Sequence, residues 1–208
     1  MTTTDSPKKK GSVPRWLAIP TAKPQLNTAE VASKYPRLRF QVFMGIFIGY
    51  ATFYLIRNNV PLVTPILTHE LGFSNAAIGA LSTALLLAYG FSKFFTAMIS
   101  DRSNARLFLP IGLVLSGIAN VLLAIAGYMG SGAAAAGYGA AIASTMAAIM
   151  VFNGIFQGMG WPPSGRVLVN WFSTSERGSK VSLWNTAHNV GGALSGLLVA
   201  WGFTLFGK

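Results

Sequence analysis

The chain has 208 residues, of which 52% are hydrophobic and only 10% charged, and its formal net charge is +11. A soluble domain carries roughly a quarter charged residues, so this composition excludes an ordinary water-facing globule. The absence of cysteine excludes disulfides and thiolate metal sites.

The opening residues, 1–35, are polar, rich in Thr, Lys and Pro, and lack an apolar period, which predicts a disordered tail. Residues 36–208 contain apolar stretches of about 20 residues, the length that crosses about 30 Å of hydrocarbon. The predicted spans are residues 40–62, 78–99, 107–128, 140–161 and 181–206. The sequence therefore predicts an all-α polytopic membrane protein with five transmembrane helices.

The positive charge could indicate nucleic acid binding, but nucleic-acid proteins cluster basic residues on a folded polar face. Here the basic residues lie before the first span and in the segments 100–106 and 164–180, whereas the alternate loops contain no Lys or Arg. This is the positive-inside pattern, so we expect a cytoplasmic N-terminus and a cytoplasmic tail. The expected partner is the lipid bilayer, and no nucleic acid partner is expected.

Three basic or titratable residues lie inside the predicted spans, namely Arg57, Lys93 and His188, and no acidic residue does. An intramembrane Arg or Lys costs about 2.5–3.5 kcal/mol on insertion scales and usually faces a cavity or a partner. The alternative is that Arg57 and Lys93 reach outward to the interface along their apolar stems. His188 alone would more often be a packed, hydrogen-bonded histidine than a ligand.

Polar side chains recur at helical spacing in three spans, so each of these spans has a polar stripe. Polar faces in lipid must turn towards one another or towards water. We therefore predict a shared cavity with two fixed cations and no acid, which would bind an anion such as a phosphate. The stripes are Tyr50, Tyr54 and Arg57 in span one, Tyr89 and Lys93 in span two, and Asn185, His188 and Asn189 in span five.

The sequence offers little support for an enzyme. It contains no nucleophile–base pair, no metal-ligating cluster and no phosphate-cradling loop in the patterns that those sites require. We therefore expect no catalytic activity, no cofactor and no metal.

Several long motifs, in order, resemble the organophosphate:phosphate antiporters of the major facilitator superfamily. Within that family, the stretch QGMGWPPSGR is most similar to the bacterial glycerol-3-phosphate transporters, followed by hexose-phosphate transporters and their sensor relatives. The resemblance covers about residues 36–208. The motifs are 89-YGFSKF-94, 98-MISDRSNARLFLP-110, 157-QGMGWPPSGR-166 and 176-ERGSKVSLWNTAHNVGG-192.

The resemblance implies a secondary transporter of the bacterial inner membrane that works by alternating access. Two six-helix halves would rock about a site near the midplane and exchange inorganic phosphate for an organophosphate. It also implies that Arg57 binds phosphate, and that Lys93 and His188 belong to the same site. The pore-lining tyrosines of the family match Tyr50, Tyr54 and Tyr89.

The segment around Asp101, Arg102 and Arg106 resembles the cytoplasmic gating motif of the superfamily, although it could be a topology determinant alone. Two positions depart from the family pattern. Asn58 stands where the family often has a lysine, and Ala97 where it usually has a glycine. The change at Asn58 weakens any expectation of a second cation next to Arg57.

The family has twelve spans, whereas five are predicted here, which indicates an incomplete N-terminal half. A truncated gene model, a split reading frame or a pseudogene fragment would explain the difference, and a second polypeptide could supply the C-terminal half. Three functions remain open. They are exchange of phosphate for glycerol-3-phosphate, exchange of phosphate for a hexose phosphate, and sensing of an organophosphate without transport.

Overall fold

The computed structural model describes residues 14, 17–19, 26–57, 59–69, 72–133 and 139–206, with no side-chain description for 131–133. This described part consists of helices, and five of its helical segments are long and apolar enough to cross a membrane, as predicted. The helices are α1 (Thr28–Leu55), α2 (Asn59–Leu62), α3 (Thr64–His69), α4 (Asn75–Asp101), α5 (Ala105–Ala133), α6 (Gly139–Gln157), α7 (Trp161–Trp171), α8 (Thr174–Asn185) and α9 (Ala187–Phe206).

The first helix begins before the predicted end of the disordered tail. The side chain of Asn27 accepts a 2.8 Å hydrogen bond from the Glu30 backbone N–H, and the Glu30 carboxylate accepts one from the Asn27 backbone N–H. This reciprocal capping starts α1 at Thr28. Residues 28–35 are therefore helical. This differs from the predicted disordered tail, because composition does not report the capping pair.

A second part of the predicted tail packs against the membrane bundle. Leu17 is only 9% exposed, and its carbonyl accepts a 2.7 Å hydrogen bond from the Asn104 backbone N–H. Ala18 forms an isolated antiparallel bridge with Ser103. The described residues at 17–19 thus contact the turn between α4 and α5, a long-range contact that composition alone does not reveal.

The segment 164–180, predicted as a loop, is mostly helical. Span four was predicted to continue to residue 161, but α6 ends at Gln157, before Pro162 and Pro163. The prolines then occupy the first turn of α7, where the missing N–H groups have no helical partner to lose. A capping box between Ser173 and Glu176 starts α8 shortly afterwards. Span five is consequently made of α8 and α9.

Close helix contacts join α4 to α6 and α1 to α9. Gly154 of α6 lies so near α4 that a Cβ at this position would overlap with the carbonyl oxygen of Leu85. A Cβ at Gly191 of α9 would similarly overlap with the carbonyl oxygen of Ala51 in α1. Small residues allow this backbone approach in membrane bundles. The contact of Arg57 with the Tyr89 ring then links the turn after α1 to α4.

Candidate functional site

Arg57 lies in the turn that follows α1, because the helix ends at Leu55 and not at the predicted boundary of span one. The side chain is inside the bundle, with a residue exposure of 8%. Its guanidinium carbon is 4.2 Å from the ring centroid of Tyr54 and 4.0 Å from that of Tyr89. Two aromatic rings thus contact the cation, which favours the cavity interpretation over an outward-reaching side chain.

Arg57 has a neutral hydrogen-bond acceptor. Its Nε–H donates to Oε1 of Gln157, on α6, across 3.0 Å. A buried charge must be paired or hydrogen-bonded to be tolerated, and an amide oxygen provides this without cancelling the charge. The arrangement keeps the positive charge of Arg57 inside the bundle.

Lys93 contacts the same aromatic ring as Arg57. Its Nζ lies 3.9 Å from the ring centroid of Tyr89, one helical turn earlier on α4. The Tyr89 ring is therefore within cation–π distance of both cations. Since each cation lies about 4 Å from the centroid of the same ring, the two like charges are close enough to repel each other.

The remaining tyrosines and the histidine extend the site along α1 towards α9. The rings of Tyr50 and Tyr54 are 5.3 Å apart, and the ring of Tyr54 is 5.4 Å from that of His188. Tyr50 also packs on Trp184, with 4.4 Å between the ring centroids. The structure therefore joins Tyr50, Tyr54, Arg57, Tyr89, Lys93 and His188 through a continuous series of contacts.

Asn185 and Asn189 are not joined to this series. Both are exposed, and within the described ranges no hydrogen bond or ring contact links them to the six residues. Asn185 is the last residue of α8, and α9 starts after a turn at Thr186. That break separates Asn185 from the stripe predicted for one continuous helix. A role for the two asparagines remains a prediction.

The buried chain of polar side chains that leads from Gln157 away from Arg57 was not predicted from the sequence. The Gln157 amide donates to the Ser116 hydroxyl across 2.7 Å, and the Ser116 hydroxyl donates to the Asn153 side-chain oxygen. A branch joins Asn59 to Asn120 across 3.1 Å. The spacing of Asn153 and Gln157, four residues apart in an apolar span, was the available signal. This pair was not among the polar stripes predicted from the sequence.

The predicted gating residues lie at the other end of α4. Asp101 is the last residue of α4, Arg102 caps it, and Arg106 is in the first turn of α5. Asp101 and Arg106 line a cavity of about 570 Å³. Whether charge pairing at this turn controls a conformational change remains a prediction.

Arg166 of α7 forms hydrogen bonds with the turn between α4 and α5. It donates to the carbonyl oxygens of Ser100 and Ser103, the latter across 2.6 Å. A cation near the last carbonyls of a helix also interacts favourably with the helix dipole. The sequence indicated only a topological role for the segment that contains Arg166. Its contact with the α4–α5 turn was not predicted, because the two are far apart in the chain.

A further arginine ties α1 to α8 at this end of the bundle. Arg39 forms an ion pair with Glu176, and its guanidinium carbon is 4.7 Å from the ring centroid of Phe172. Tyr35, one turn earlier, donates a 2.7 Å hydrogen bond to the Trp171 carbonyl. These contacts lie apart from the six residues of the cavity.

Comparison with known proteins establishes the family. The family model described as Major Facilitator Superfamily matches residues 46–207, more than half of the chain. The chain belongs to the Major Facilitator Superfamily. Membership confirms the prediction of an all-α, multi-pass membrane protein, and because this is a family of transporters it also agrees with the expectation that the chain is not an enzyme.

Named relatives of this major facilitator chain carry several functional descriptions. It is 46% identical over 182 residues to the glycerol-3-phosphate transporter of Bacillus subtilis, a match that covers 88% of the chain and 38% of the relative. It is 39% identical over 179 residues to the phosphoglycerate transporter protein of Salmonella typhimurium, covering 86% of the chain and 36% of the relative. It is also 38% identical over 186 residues to the membrane sensor protein UhpC of Escherichia coli, covering 89% of the chain and 39% of the relative. The chain thus spans little more than a third of the length of these relatives.

Proposed function

We propose that this chain provides a phosphate-binding half-site of a secondary transporter that exchanges inorganic phosphate for an organophosphate, with glycerol-3-phosphate as the first candidate. The observation that carries the proposal is the environment of Arg57. This cation is buried, hydrogen-bonded to the neutral Gln157, and shares the Tyr89 ring with Lys93. A guanidinium and an ammonium together suit the oxygens and the charge of a phosphate.

The proposed exchange depends on the phosphoryl group, which inorganic phosphate and an organophosphate share. Inorganic phosphate and a phosphate monoester present the same phosphoryl oxygens, so Arg57 and Lys93 can bind either. Alternating access around such a site moves one substrate in each direction. In this proposal, a second half that corresponds to the unmatched length of the relatives closes the cavity from the other side.

The orientation proposed for the chain follows from its basic residues. Segments 100–106 and 164–180 face the cytoplasm of a bacterial inner membrane, together with residues 1–39. The Arg166 and Arg39 contacts described above then lie at the cytoplasmic ends of the helices. The Arg57 site lies deeper, between those ends and the outer face.

The named relatives support two alternative functions. One is hexose-phosphate exchange, since the chain is 38% identical over 167 residues to a probable hexose phosphate transport protein of Chlamydia trachomatis, covering 79% of the chain and 33% of the relative. The other is sensing, as in the relative named a membrane sensor. A sensor would bind an organophosphate at the same residues without exchanging it for phosphate.

Counterflow in proteoliposomes tests the proposal. The chain is reconstituted alone and together with the unmatched remainder of the Bacillus subtilis relative, in liposomes loaded with labelled phosphate. We expect external glycerol-3-phosphate to release the label. Binding without release would indicate a sensor, and release by glucose-6-phosphate but not by glycerol-3-phosphate would indicate a hexose-phosphate carrier. The absence of both binding and release would overturn the proposal.

A further inference from the structure

Three uncharged polar side chains are fully buried behind Arg57. Ser116 of α5 is 0% exposed, and Asn153 and Gln157 of α6 are each 1% exposed. Polar groups in an apolar bundle are costly unless they are hydrogen-bonded, and each of these three has a partner. These three residues lie next to Arg57 and apart from the contacts of Arg166 and Arg39. Their burial there needs a physical explanation.

The hydrogen bonds in this chain have a fixed direction. A serine hydroxyl has a single hydrogen, and that of Ser116 is donated to the side-chain oxygen of Asn153. Ser116 must therefore accept the 2.7 Å hydrogen bond from Nε2 of Gln157. With its NH₂ group committed to Ser116, the Gln157 amide turns its oxygen towards Arg57.

These contacts occupy one part of Arg57. The Gln157 oxygen takes the Nε–H, and the rings of Tyr54 and Tyr89 contact the guanidinium. The paired Nη groups are the donors that match two phosphate oxygens. A guanidinium held at Nε can present this pair at a fixed angle.

We propose that Gln157, Ser116 and Asn153 form a positioning relay for Arg57, and that the partner of Arg57 is an amide so that its charge remains available to the ligand. Gln157 is a positioning residue, because it acts through Arg57. Ser116 and Asn153 set the orientation of the Gln157 amide. This inference rests on the proposed phosphate-binding function and names the residues that prepare the site for a phosphoryl group.

Two replacements of Gln157 separate the effect of its neutral charge from the effect of its hydrogen bonds. In Gln157→Glu, a carboxylate of nearly the same shape would still accept from Arg57, but it would pair with the charge that the ligand needs. It would also lose the donor to Ser116. In Gln157→Met, the side chain is similar in length and neutral, so the guanidinium keeps its charge but loses its support. If Gln157 merely stabilised the fold, Glu would be the milder of the two replacements.

Phosphate binding by the chain together with the complementing half, in lipid nanodiscs, measures the difference, with inorganic phosphate as the probe. We expect Gln157→Met to weaken binding by up to about tenfold, since the released Arg57 side chain must be ordered again when phosphate binds. Gln157→Glu should weaken binding further than Met, and Ser116→Ala should weaken it by up to the same factor as Met. The matched control is Thr96→Val, which removes a buried hydroxyl donated to the Gly158 carbonyl outside the relay and should bind as the unmodified chain does. Binding by Gln157→Glu that equals or exceeds binding by Gln157→Met would overturn the relay.

A second measurement separates the relay from the proposed function. Phenylglyoxal modifies arginine, and mass spectrometry gives the rate at Arg57, with Arg39 as the internal reference. Gln157→Met and Ser116→Ala should both raise the Arg57 rate relative to Arg39, whereas Thr96→Val should leave it unchanged. Absence of phosphate binding by the chain together with the complementing half would disprove the proposed function, while the Arg57 rates would still test the relay. Unchanged rates in both relay variants would overturn it.

Discussion

Arg57 donates its Nε–H to the side-chain oxygen of Gln157 across 3.0 Å, so a cation buried in this bundle is held by an amide. An acidic partner would stabilise the cation more strongly, but it would also cancel the charge. The neutral contact, the two tyrosine rings and the nearby Lys93 give the predicted cavity two cations and, among the residues that the structure describes, no acidic partner for Arg57. We interpret this cavity as the place where a phosphoryl group binds.

The shared aromatic ring of Tyr89 should matter for ligand binding. Tyr89→Leu removes the π face that contacts both Arg57 and Lys93, and each such contact contributes about 0.5–2 kcal/mol. We expect phosphate binding to weaken roughly tenfold, which corresponds to about 1.4 kcal/mol. Tyr89→Phe keeps the face and serves as the control, so it should bind more tightly than Tyr89→Leu. Equal affinities in the two variants would show that the ring face is unimportant, and equilibrium binding in nanodiscs provides the measurement.

Packing between α4 and α6 should depend on Gly154. Gly154→Ala places a methyl group against the Leu85 carbonyl, and overpacking of this kind costs about 1–3 kcal/mol. The apparent melting temperature in detergent should therefore fall. Gly90→Ala is the matched control, because a Cβ at Gly90 meets no atom within 4 Å and alanine favours a helix. A Gly154→Ala protein as stable as Gly90→Ala would contradict the close contact of α4 with α6.

The proposed orientation can be tested with single cysteines, because the chain has none of its own. Ser175→Cys in the first turn of α8 and Met129→Cys near the end of α5 introduce thiols at exposed positions. Ser103 would be a poor site, since it is fully buried. A membrane-impermeant maleimide should label Cys at 129 in intact cells and Cys at 175 only after the membrane is opened. Labelling of both positions in intact cells would disprove the orientation.

The contact between the tail and the α4–α5 turn predicts a specific crosslink. Facing residues of an antiparallel bridge have Cα atoms about 4.5–5.5 Å apart, a separation that a disulfide can span. The double variant Ala18→Cys/Ser103→Cys should therefore form a disulfide under mild oxidation. Cleavage between the two positions, followed by electrophoresis with and without reductant, reveals the link. Ala18→Cys with Ser175→Cys is the control pair, and crosslinking of both pairs alike would indicate that residue 18 has no fixed place.

Much of the fold could be predicted from the sequence because membrane spans are set by length and hydropathy. All five spans were found, but several of their boundaries differ from the predicted ones. Pro162 and Pro163 lie beyond the predicted span four, yet they start α7, which continues that span to Trp171. The capping pair at Asn27 and Glu30 extends α1 into the predicted tail. These differences are local hydrogen-bonding effects that hydropathy does not report.

The candidate site was predicted in its charged and aromatic members, since an intramembrane cation is conspicuous in a sequence. Gln157 and Ser116 were missed, because an uncharged polar side chain in a span has several ordinary roles. Only the three-dimensional contact with Arg57 assigns Gln157 to the site. For Arg166, the partners are backbone carbonyls far away in the chain, which no residue pattern could identify.

The most direct test of the phosphate-binding proposal is the affinity of Arg57→Lys for inorganic phosphate, measured on the inserted chain alone and with the complementing half. Lysine keeps the charge but offers a single point donor, so loss of one charge-assisted hydrogen bond, worth about 1.5–3 kcal/mol, should weaken binding roughly tenfold or more. Arg39→Lys makes the same replacement outside the cavity and should bind as the unmodified chain does. Unchanged phosphate affinity in a well-inserted Arg57→Lys protein would contradict the assignment of Arg57 as the phosphate ligand.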